Sequence, residues 1–256
     1  MELEASMRKP LFIAISGKKG SGKDEFAKQL QMALESSMQS MSAPACFVDI
    51  THFADPLKEM CIQLFGLDRN LVYGSNADKE RPTMVMWDGF PFEVRIKYSN
   101  QIEMVPNDIR YYNPDGEHEE KVPRIGPMTH RELLQVMGTD IFRERVYNNI
   151  WAEYPFKQPW GSTEQGDVLI PTDVVLIADC RFPNEVAETL KNGGLIVRVN
   201  RNTGHNDTHP SETALDGYNW DQDRHFVIDN NGTIQELREK ATRLATLIMA
   251  NYLERT

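Results

Sequence analysis

The segment from Gly17 to Lys23 constrains the fold of this chain more than any other feature, because it follows the spacing Gly-x-x-x-x-Gly-Lys. It stands between Leu11–Ser16, a short apolar run typical of a buried strand, and residues 22–39, where apolar residues recur at helical spacing. In that setting the glycines let backbone N–H groups turn toward phosphates, and Lys23 reaches the phosphate oxygens. The segment therefore predicts a phosphate-binding loop, with a purely structural glycine turn as the alternative.

Asp24 departs from the commonest form of this motif, which has serine or threonine after the lysine. A carboxylate can hold Mg²⁺ directly or through water. The same carboxylate can equally cap the start of the helix, where negative charge is favoured. Both interpretations stay open at the level of sequence.

A second acidic position, Asp179, follows the apolar run 173–178, which predicts another buried strand. Enzymes with a phosphate loop hold Mg²⁺ or its water shell at this end of a strand. Arg181 comes two residues later and could offset charge on a transferred phosphoryl group. The alternative is an exposed turn with an ion pair.

Strands and helices alternate along most of the chain, which predicts an α/β fold with a largely parallel central sheet and helices on both faces. The other predicted strands are 46–50, 195–200 and 225–228, and the other predicted helices are 57–65, 133–137, 141–151, 185–191 and 234–253. Thr129 and Glu132 form a capping-box pattern, and Gly138 predicts a break between two helical segments.

Residues 84–127 do not continue the alternation of strands and helices. Apolar and polar residues alternate over 84–105 and predict a β-hairpin or a small sheet, whereas the prolines and acidic run of 113–127 predict a surface loop. We therefore predict a β-rich insertion at about 84–127 in a three-layer phosphate-loop domain of residues 11–256, preceded by a flexible leader of residues 1–10.

Composition excludes several classes of protein. The net charge is −10 with no basic stripe, which argues against a nucleic-acid polymer as partner, and no apolar run approaches the ~18 residues that span a bilayer. Three widely spaced cysteines argue against a disulfide framework or a zinc site and suit a reducing cytoplasm. The chain has no Asn-Lys-x-Asp for guanine recognition and lacks the length and further elements of a motor or AAA-type ATPase, so a small-molecule kinase is the best remaining class.

The chain resembles the bacteriophage deoxynucleoside monophosphate kinases, relatives of the adenylate-kinase-like enzymes. The stretches that carry the likeness lie in order along the chain: SGKKGSGKD at Ser16–Asp24, FADPLKE at Phe53–Glu59, RELLQVMGTD at Arg131–Asp140, DCRFPNE at Asp179–Glu185, and DTHPSE at Asp207–Glu212 followed by VIDNNG at Val227–Gly232. The resemblance implies the reaction ATP + dNMP → ADP + dNDP with Mg²⁺, in the cytoplasm of an infected bacterial host. It is also consistent with a homodimer.

The resemblance implies roles for individual residues as well. The implied ATP-binding residues are Gly17, Lys19, Gly20, Ser21, Gly22, Lys23, Asp24, Glu25, Arg201, Asn230 and Gly232. The implied dNMP-binding residues are Leu57, Lys58, Arg81, Arg131, Gln135, Gly138, Thr139, Trp151, Asp179, Arg181 and Glu185. The implied catalytic residues are Lys23, Asp179, Arg181 and Arg131, and the implied metal ligands are Asp24 and Asp179. The resemblance also implies a lid at about 201–214.

Two other functions stay open on sequence. One is a kinase of the same architecture that acts on a different phosphorylated acceptor, such as dephospho-coenzyme A. The other is a nucleotide-binding protein that does not transfer a phosphoryl group. The base preference among dNMPs is not set by the sequence.

Overall fold

The computed structural model describes residues 9–40, 47–99, 123–164, 168–204 and 210–253. The strands are β1 (Leu11–Ser16), β2 (Val48–Thr51), β3 (Pro82–Met86), β4 (Pro127–Thr129), β5 (Gly161–Glu164), β6 (Val168–Pro171), β7 (Val174–Cys180), β8 (Leu195–Asn200) and β9 (His225–Asp229). The α-helices are α1 (Lys23–Ser40), α2 (Asp55–Phe65), α3 (Arg69–Val72), α4 (Asn76–Lys79), α5 (Phe92–Lys97), α6 (His130–Gln135), α7 (Ile150–Glu153), α8 (Pro183–Lys191), α9 (Pro210–Thr213) and α10 (Ile234–Leu253). Short 3-10 helices occur at Trp87–Gly89 and Tyr154–Lys157, and a π-helix occurs at Val136–Val146.

The chain divides into two compact units. The sheet unit consists of Met1–Asp55 and Trp151–Thr256, and the middle unit consists of Pro56–Ile150. Within the described residues, no helix combines the length and the apolarity needed to cross a bilayer.

Five strands of the sheet unit form one sheet in the order β2-β7-β1-β8-β9, and every neighbouring pair is parallel. The prediction of an α/β fold with a parallel central sheet is therefore confirmed. β1 occupies the centre, and its carboxyl end leads directly into the loop at Gly17. Since the carboxyl ends of parallel strands share one edge of a sheet, ligands of such folds bind there.

Helices cover both faces of this sheet. On one face, Ile13 and Ile15 of β1 pack in a cluster with apolar residues of α1 and α10. On the other face, Phe12 and Ala14 pack in a cluster that includes Val186 of α8. Successive side chains of a strand point to opposite faces, so a strand that is covered on both sides is apolar throughout. This explains the unbroken apolar run of β1.

Among the described residues, the β-hairpin or small sheet predicted over 84–105 is corrected in one respect, because the strand there does not pair within that stretch. β3 pairs antiparallel with β4 from some forty residues further along the chain, and the residues between them include the α-helix Phe92–Lys97. The alternating pattern was misleading because Pro91 starts a helix there, and the helix buries Val94. The described part of the predicted insertion therefore contains a strand pair and helices, while residues 100–122 lie outside the described ranges.

Gly138 does not break the chain into two helices, which corrects a second prediction. α6 begins at the predicted capping box of Thr129 and Glu132, and the chain then continues through Gly138 as the π-helix. Gly138 is buried against α2, where an added Cβ would lie 2.6 Å from Leu57 Cδ2. The glycine therefore serves close packing in the middle unit and does not terminate a helix.

We expect Gly138→Ala to lower the free energy of unfolding by about 1–3 kcal/mol, because the new methyl group overlaps the Leu57 side chain. Urea unfolding followed by circular dichroism measures this change. Gly89→Ala is the control in the same unit, since nothing lies within 4 Å of a Cβ at Gly89. Equal stability of Gly138→Ala and the wild type would refute the packing role.

Candidate functional site

The loop from Gly17 to Lys23 has the curled backbone that its glycines predict. Gly20 and Gly22 have φ angles of 76° and 85°, in the left-handed region that favours glycine. The N–H of Ser21 donates to the carbonyl of Lys18 at 3.0 Å and closes the turn. At Gly17 an added Cβ would lie 2.8 Å from the Val199 carbonyl oxygen, so this position also requires glycine.

The features of a phosphate cradle converge where this loop meets α1. Lys23 is the first residue of the 18-residue helix, and its side chain is largely buried. The hydroxyl of Ser21 is buried and has no hydrogen-bond partner among the described residues. Asp24 and Glu25 occupy the first helical turn, where Glu25 accepts a hydrogen bond from Gln29 at 2.8 Å. A helix N-terminus, a buried cation and an unsatisfied hydroxyl together fit a polyphosphate.

Burial lowers the pKa of Lys23, and the nearby Arg181 guanidinium lowers it further, while Asp24, Glu212 and Asp179 act in the opposite direction. Bound phosphates favour the charged lysine. We therefore expect the affinity for ADP to fall as pH rises through the lowered pKa of Lys23, by at most about tenfold per pH unit. Calorimetric titration of ADP from neutral to alkaline pH measures this. The same titration of Lys23→Met should lack this component, and an equal fall in that variant would contradict the assignment.

Asn230 ties the end of β9 to the phosphate loop. Its side-chain Nδ2 donates to the Ser21 carbonyl at 2.8 Å, and its backbone N–H donates to the Asn200 carbonyl at 2.7 Å. A Cβ on Gly22 would overlap this Asn230 amide, so the glycine permits the close approach. Of the other predicted ATP-binding residues, Gly232 precedes α10 and Arg201 is exposed after β8.

Asp179 lies near the carboxyl end of β7 and anchors the segment after β2. Its two carboxylate oxygens accept the backbone N–H groups of Phe53 at 2.6 Å and Ala54 at 3.2 Å. These contacts join two of the stretches that carried the family resemblance, DCRFPNE and FADPLKE. Asp179 therefore holds the backbone of the segment after β2, whatever else it binds.

Glu185 and Arg181 lie at the start of α8. The buried Glu185 carboxylate accepts the backbone N–H groups of Arg181 at 2.7 Å and Phe182 at 3.1 Å, which is the role of a capping carboxylate. The Arg181 guanidinium donates to Glu212 and lies 3.4 Å from the Ser211 hydroxyl. Glu212 also accepts the Lys19 backbone N–H at 2.6 Å. Sequence reasoning assigned no role to Glu212, although the DTHPSE stretch that contains it was a signal.

The described acidic residues suit a magnesium ion that is shared with phosphates. Among the described residues, no group of three or more histidine, cysteine, aspartate or glutamate side chains could by itself enclose a metal ion. Mg²⁺ usually binds one or two carboxylates, waters and the phosphates of a substrate, which is compatible with Asp24 or Asp179. Each Asp179 oxygen accepts one N–H and keeps a further lone pair.

The middle unit holds most of the residues predicted to bind the acceptor. Arg131 donates to the carboxylate of Glu80 and, at 3.0 Å, to the side-chain oxygen of Asn76. Lys58 lies 4.6 Å from the centre of the Tyr73 ring. Arg81 is exposed, and its backbone carbonyl contacts the ring of His130 at 2.8 Å.

The remaining predicted acceptor residues are buried or half-buried. Leu57 and Gly138 are buried against each other, and Gln135 and Thr139 are half-buried on α6 and the π-helix of the same unit. Trp151 belongs to the sheet unit and is buried, as expected for a core residue.

Comparison with known proteins identifies the family. A family model described as deoxynucleotide monophosphate kinase matches residues 11–241, which is most of the chain. The chain belongs to the deoxynucleotide monophosphate kinase family. A relative in Acanthamoeba polyphaga mimivirus, named “Putative deoxynucleotide monophosphate kinase”, is 27% identical over 234 residues. That alignment covers 88% of this chain and 91% of the relative.

Family membership confirms the resemblance that the sequence motifs indicated and supports a phosphotransferase that acts on small nucleotides. The curled loop, the buried Lys23 and the neighbouring Arg181 agree with this class of activity, because phosphoryl transfer depends on positioning and charge neutralisation.

Proposed function

We propose that this protein transfers the γ-phosphoryl group of ATP to a deoxynucleoside monophosphate and forms ADP and the corresponding deoxynucleoside diphosphate. The observation that carries the proposal is the phosphate loop with its buried Lys23, in a chain whose family is defined by kinase activity on deoxynucleotides. The ATP dependence and the direction of transfer rest on this loop chemistry.

On the donor side, the loop N–H groups bind the phosphates of ATP and the charges of Lys23 and Arg181 offset the charge on the transferred group. Asn230 stabilises the loop through the hydrogen bond from its side-chain amide to the Ser21 carbonyl. Asp24 and Asp179 are the proposed residues for Mg²⁺, which would neutralise and orient the phosphates when bound. The ATP-contacting set also includes Gly17, Lys19, Gly20, Ser21, Gly22, Glu25, Arg201 and Gly232.

On the acceptor side, Arg131 is the proposed clamp on the dNMP phosphate. Glu80 and Asn76 hold its Nε and one terminal nitrogen, so the fork is oriented before a phosphate binds. Arg81 and Lys58 are proposed to add positive charge. The acceptor phosphate is already an anionic nucleophile near neutral pH, so no general base is required.

The remaining proposed dNMP-binding residues of the middle unit are Leu57, Gln135, Gly138 and Thr139, of which the last three are proposed for the base and sugar. Trp151 and Glu185 of the sheet unit are also proposed dNMP-binding residues. Gln135 offers an amide to a base edge, and Trp151 offers an aromatic face. The lid at about 201–214 also remains a proposal, and residues 205–209 of it lie outside the described ranges.

The biological setting follows the resemblance and the family. We propose cytoplasmic action on small-molecule nucleotides, without a nucleic-acid polymer or a membrane as partner. A homodimer is consistent with the resemblance, which does not fix the oligomeric state. The bacteriophage origin also stays a proposal, because the relative described above comes from a mimivirus.

A coupled ADP-release assay tests the reaction. With ATP and Mg²⁺, we expect turnover on one or more of dAMP, dGMP, dCMP and dTMP, and none on dephospho-coenzyme A. Turnover on dephospho-coenzyme A alone would establish the alternative kinase. ADP binding without turnover on any acceptor would support a non-catalytic nucleotide-binding protein and overturn the proposal.

A further inference from the structure

Glu212 contacts two of the groups that the proposed site offers to a phosphate. One carboxylate oxygen accepts the backbone N–H of Lys19 at 2.6 Å, and the other accepts the guanidinium of Arg181. The Glu212 side chain is only 6% exposed. Charge-assisted hydrogen bonds are stronger when they are withdrawn from water, so this carboxylate is held firmly.

A phosphate and this carboxylate cannot share the same donors fully. A backbone N–H has a single hydrogen, so a phosphate oxygen that takes the Lys19 N–H must displace Glu212 from it. A carboxylate beside a polyphosphate also meets an unfavourable like charge. Glu212 also interacts electrostatically with Lys23, because its negative charge raises the pKa of that lysine and so opposes the effect of burial.

We propose that Glu212 is an internal anion that competes with the donor phosphates for Lys19 and Arg181, so that phosphate binding and the release of Glu212 are coupled. The proposal rests on the proposed function of the loop as a phosphate site. Its consequence is a weaker apparent affinity, because a ligand binds only the fraction of molecules in which the donors are free.

The same segment provides a matched control. Asp216 lies four residues after Glu212 and contacts Lys18 of the same loop at 2.8 Å. This ion pair is exposed, with 43% and 46% of the two side chains accessible, and exposed pairs contribute little. Lys18 contacts Asp216 through its side chain, so this pair does not engage a loop N–H. Asp216→Asn therefore makes the same change in charge without freeing a loop N–H or the Arg181 guanidinium.

The test is the affinity for pyrophosphate and for ADP, measured by calorimetry on the full chain without an acceptor. We expect Glu212→Gln to bind both ligands about fivefold or more tightly than the wild type, because glutamine keeps the size and removes the competing charge. Glu212→Ala should shift affinity in the same direction. Asp216→Asn should stay within about twofold of the wild type.

The possible outcomes distinguish a failure of the proposed Glu212 competition from a failure of the proposed phosphate site. Unchanged or weaker binding by both Glu212 variants, with normal binding by the wild type, would overturn the competition and make Glu212 a positioning residue for Arg181. Equal tightening by Asp216→Asn would overturn it too, because the effect would then be one of net charge. Failure of the wild type to bind either ligand would instead refute the phosphate site itself.

Discussion

Lys23→Met should lower kcat for phosphoryl transfer by about 100-fold to 1,000-fold, because the variant loses a positive charge that offsets the charge developing on the transferred group. Methionine keeps the length of the side chain and can fill the same largely buried space. The coupled ADP-release assay with saturating ATP and dNMP measures the change. This is the largest effect that we expect from a single substitution.

The stability of this variant distinguishes lost chemistry from lost folding. Burial lowers the pKa of Lys23, which means that the fold disfavours its charged form. Lys23→Met should therefore unfold at the same or a higher temperature than the wild type while it turns over far more slowly. Lys28→Met, an exposed position on the same helix, should change neither property. Turnover near the wild-type rate in Lys23→Met would refute the proposed donor site.

Arg131→Ala should lower kcat/KM for the dNMP by about 100-fold, mainly through a higher KM, because charge-assisted hydrogen bonds to a phosphate are lost. The KM for ATP should change little, since Arg131 is assigned to the acceptor alone. Arg131→Lys should recover only part of the loss, because an ammonium group lacks the planar fork that Glu80 and Asn76 orient. Steady-state kinetics with each nucleotide varied in turn measures both constants.

Arg69→Ala is the matched control for this prediction. Arg69 lies in the same unit and is also paired with a carboxylate, that of Glu59, but its side chain is 60% exposed. Removing it should leave both KM values within about twofold, as is usual for exposed ion pairs. If Arg131→Ala raised the KM for ATP and left that for the dNMP unchanged, the donor and acceptor assignments would have to be exchanged.

The sequence predicted those strands and helices that are indicated by patterns among residues close together in the chain. The bounds of β1, β8 and α10 follow from apolar periodicity, and the capping box at Thr129 follows from residues three positions apart. Most other long elements begin and end within about two residues of their predicted bounds, which is the usual scatter of such assignments. The family could also be predicted from the sequence, because short motifs in a fixed order indicated it. The phosphate-binding role of Gly17–Lys23 stays a prediction.

Local pattern was insufficient where packing decided the conformation. The alternating residues of Phe92–Lys97 match a strand pattern, but they form a helix that starts at Pro91 and buries Val94. Gly138 matches a helix terminator, but it lies within the π-helix and packs closely against Leu57 of α2. Strand β3 pairs with β4, and no periodicity in the residues around β3 could indicate this pairing.

The sequence by itself therefore determined the parallel sheet, the curled glycine-rich loop before α1 and the chemical type of most candidate site residues. Tertiary structure decided how those residues are held: Asn230 against the Ser21 carbonyl, Asp179 against the N–H groups after β2, and Glu212 between Lys19 and Arg181. The physical reason is the range of the interactions. Periodicity and capping act between neighbours in sequence, whereas these hydrogen bonds join residues far apart in the chain, and only the folded sheet brings them together.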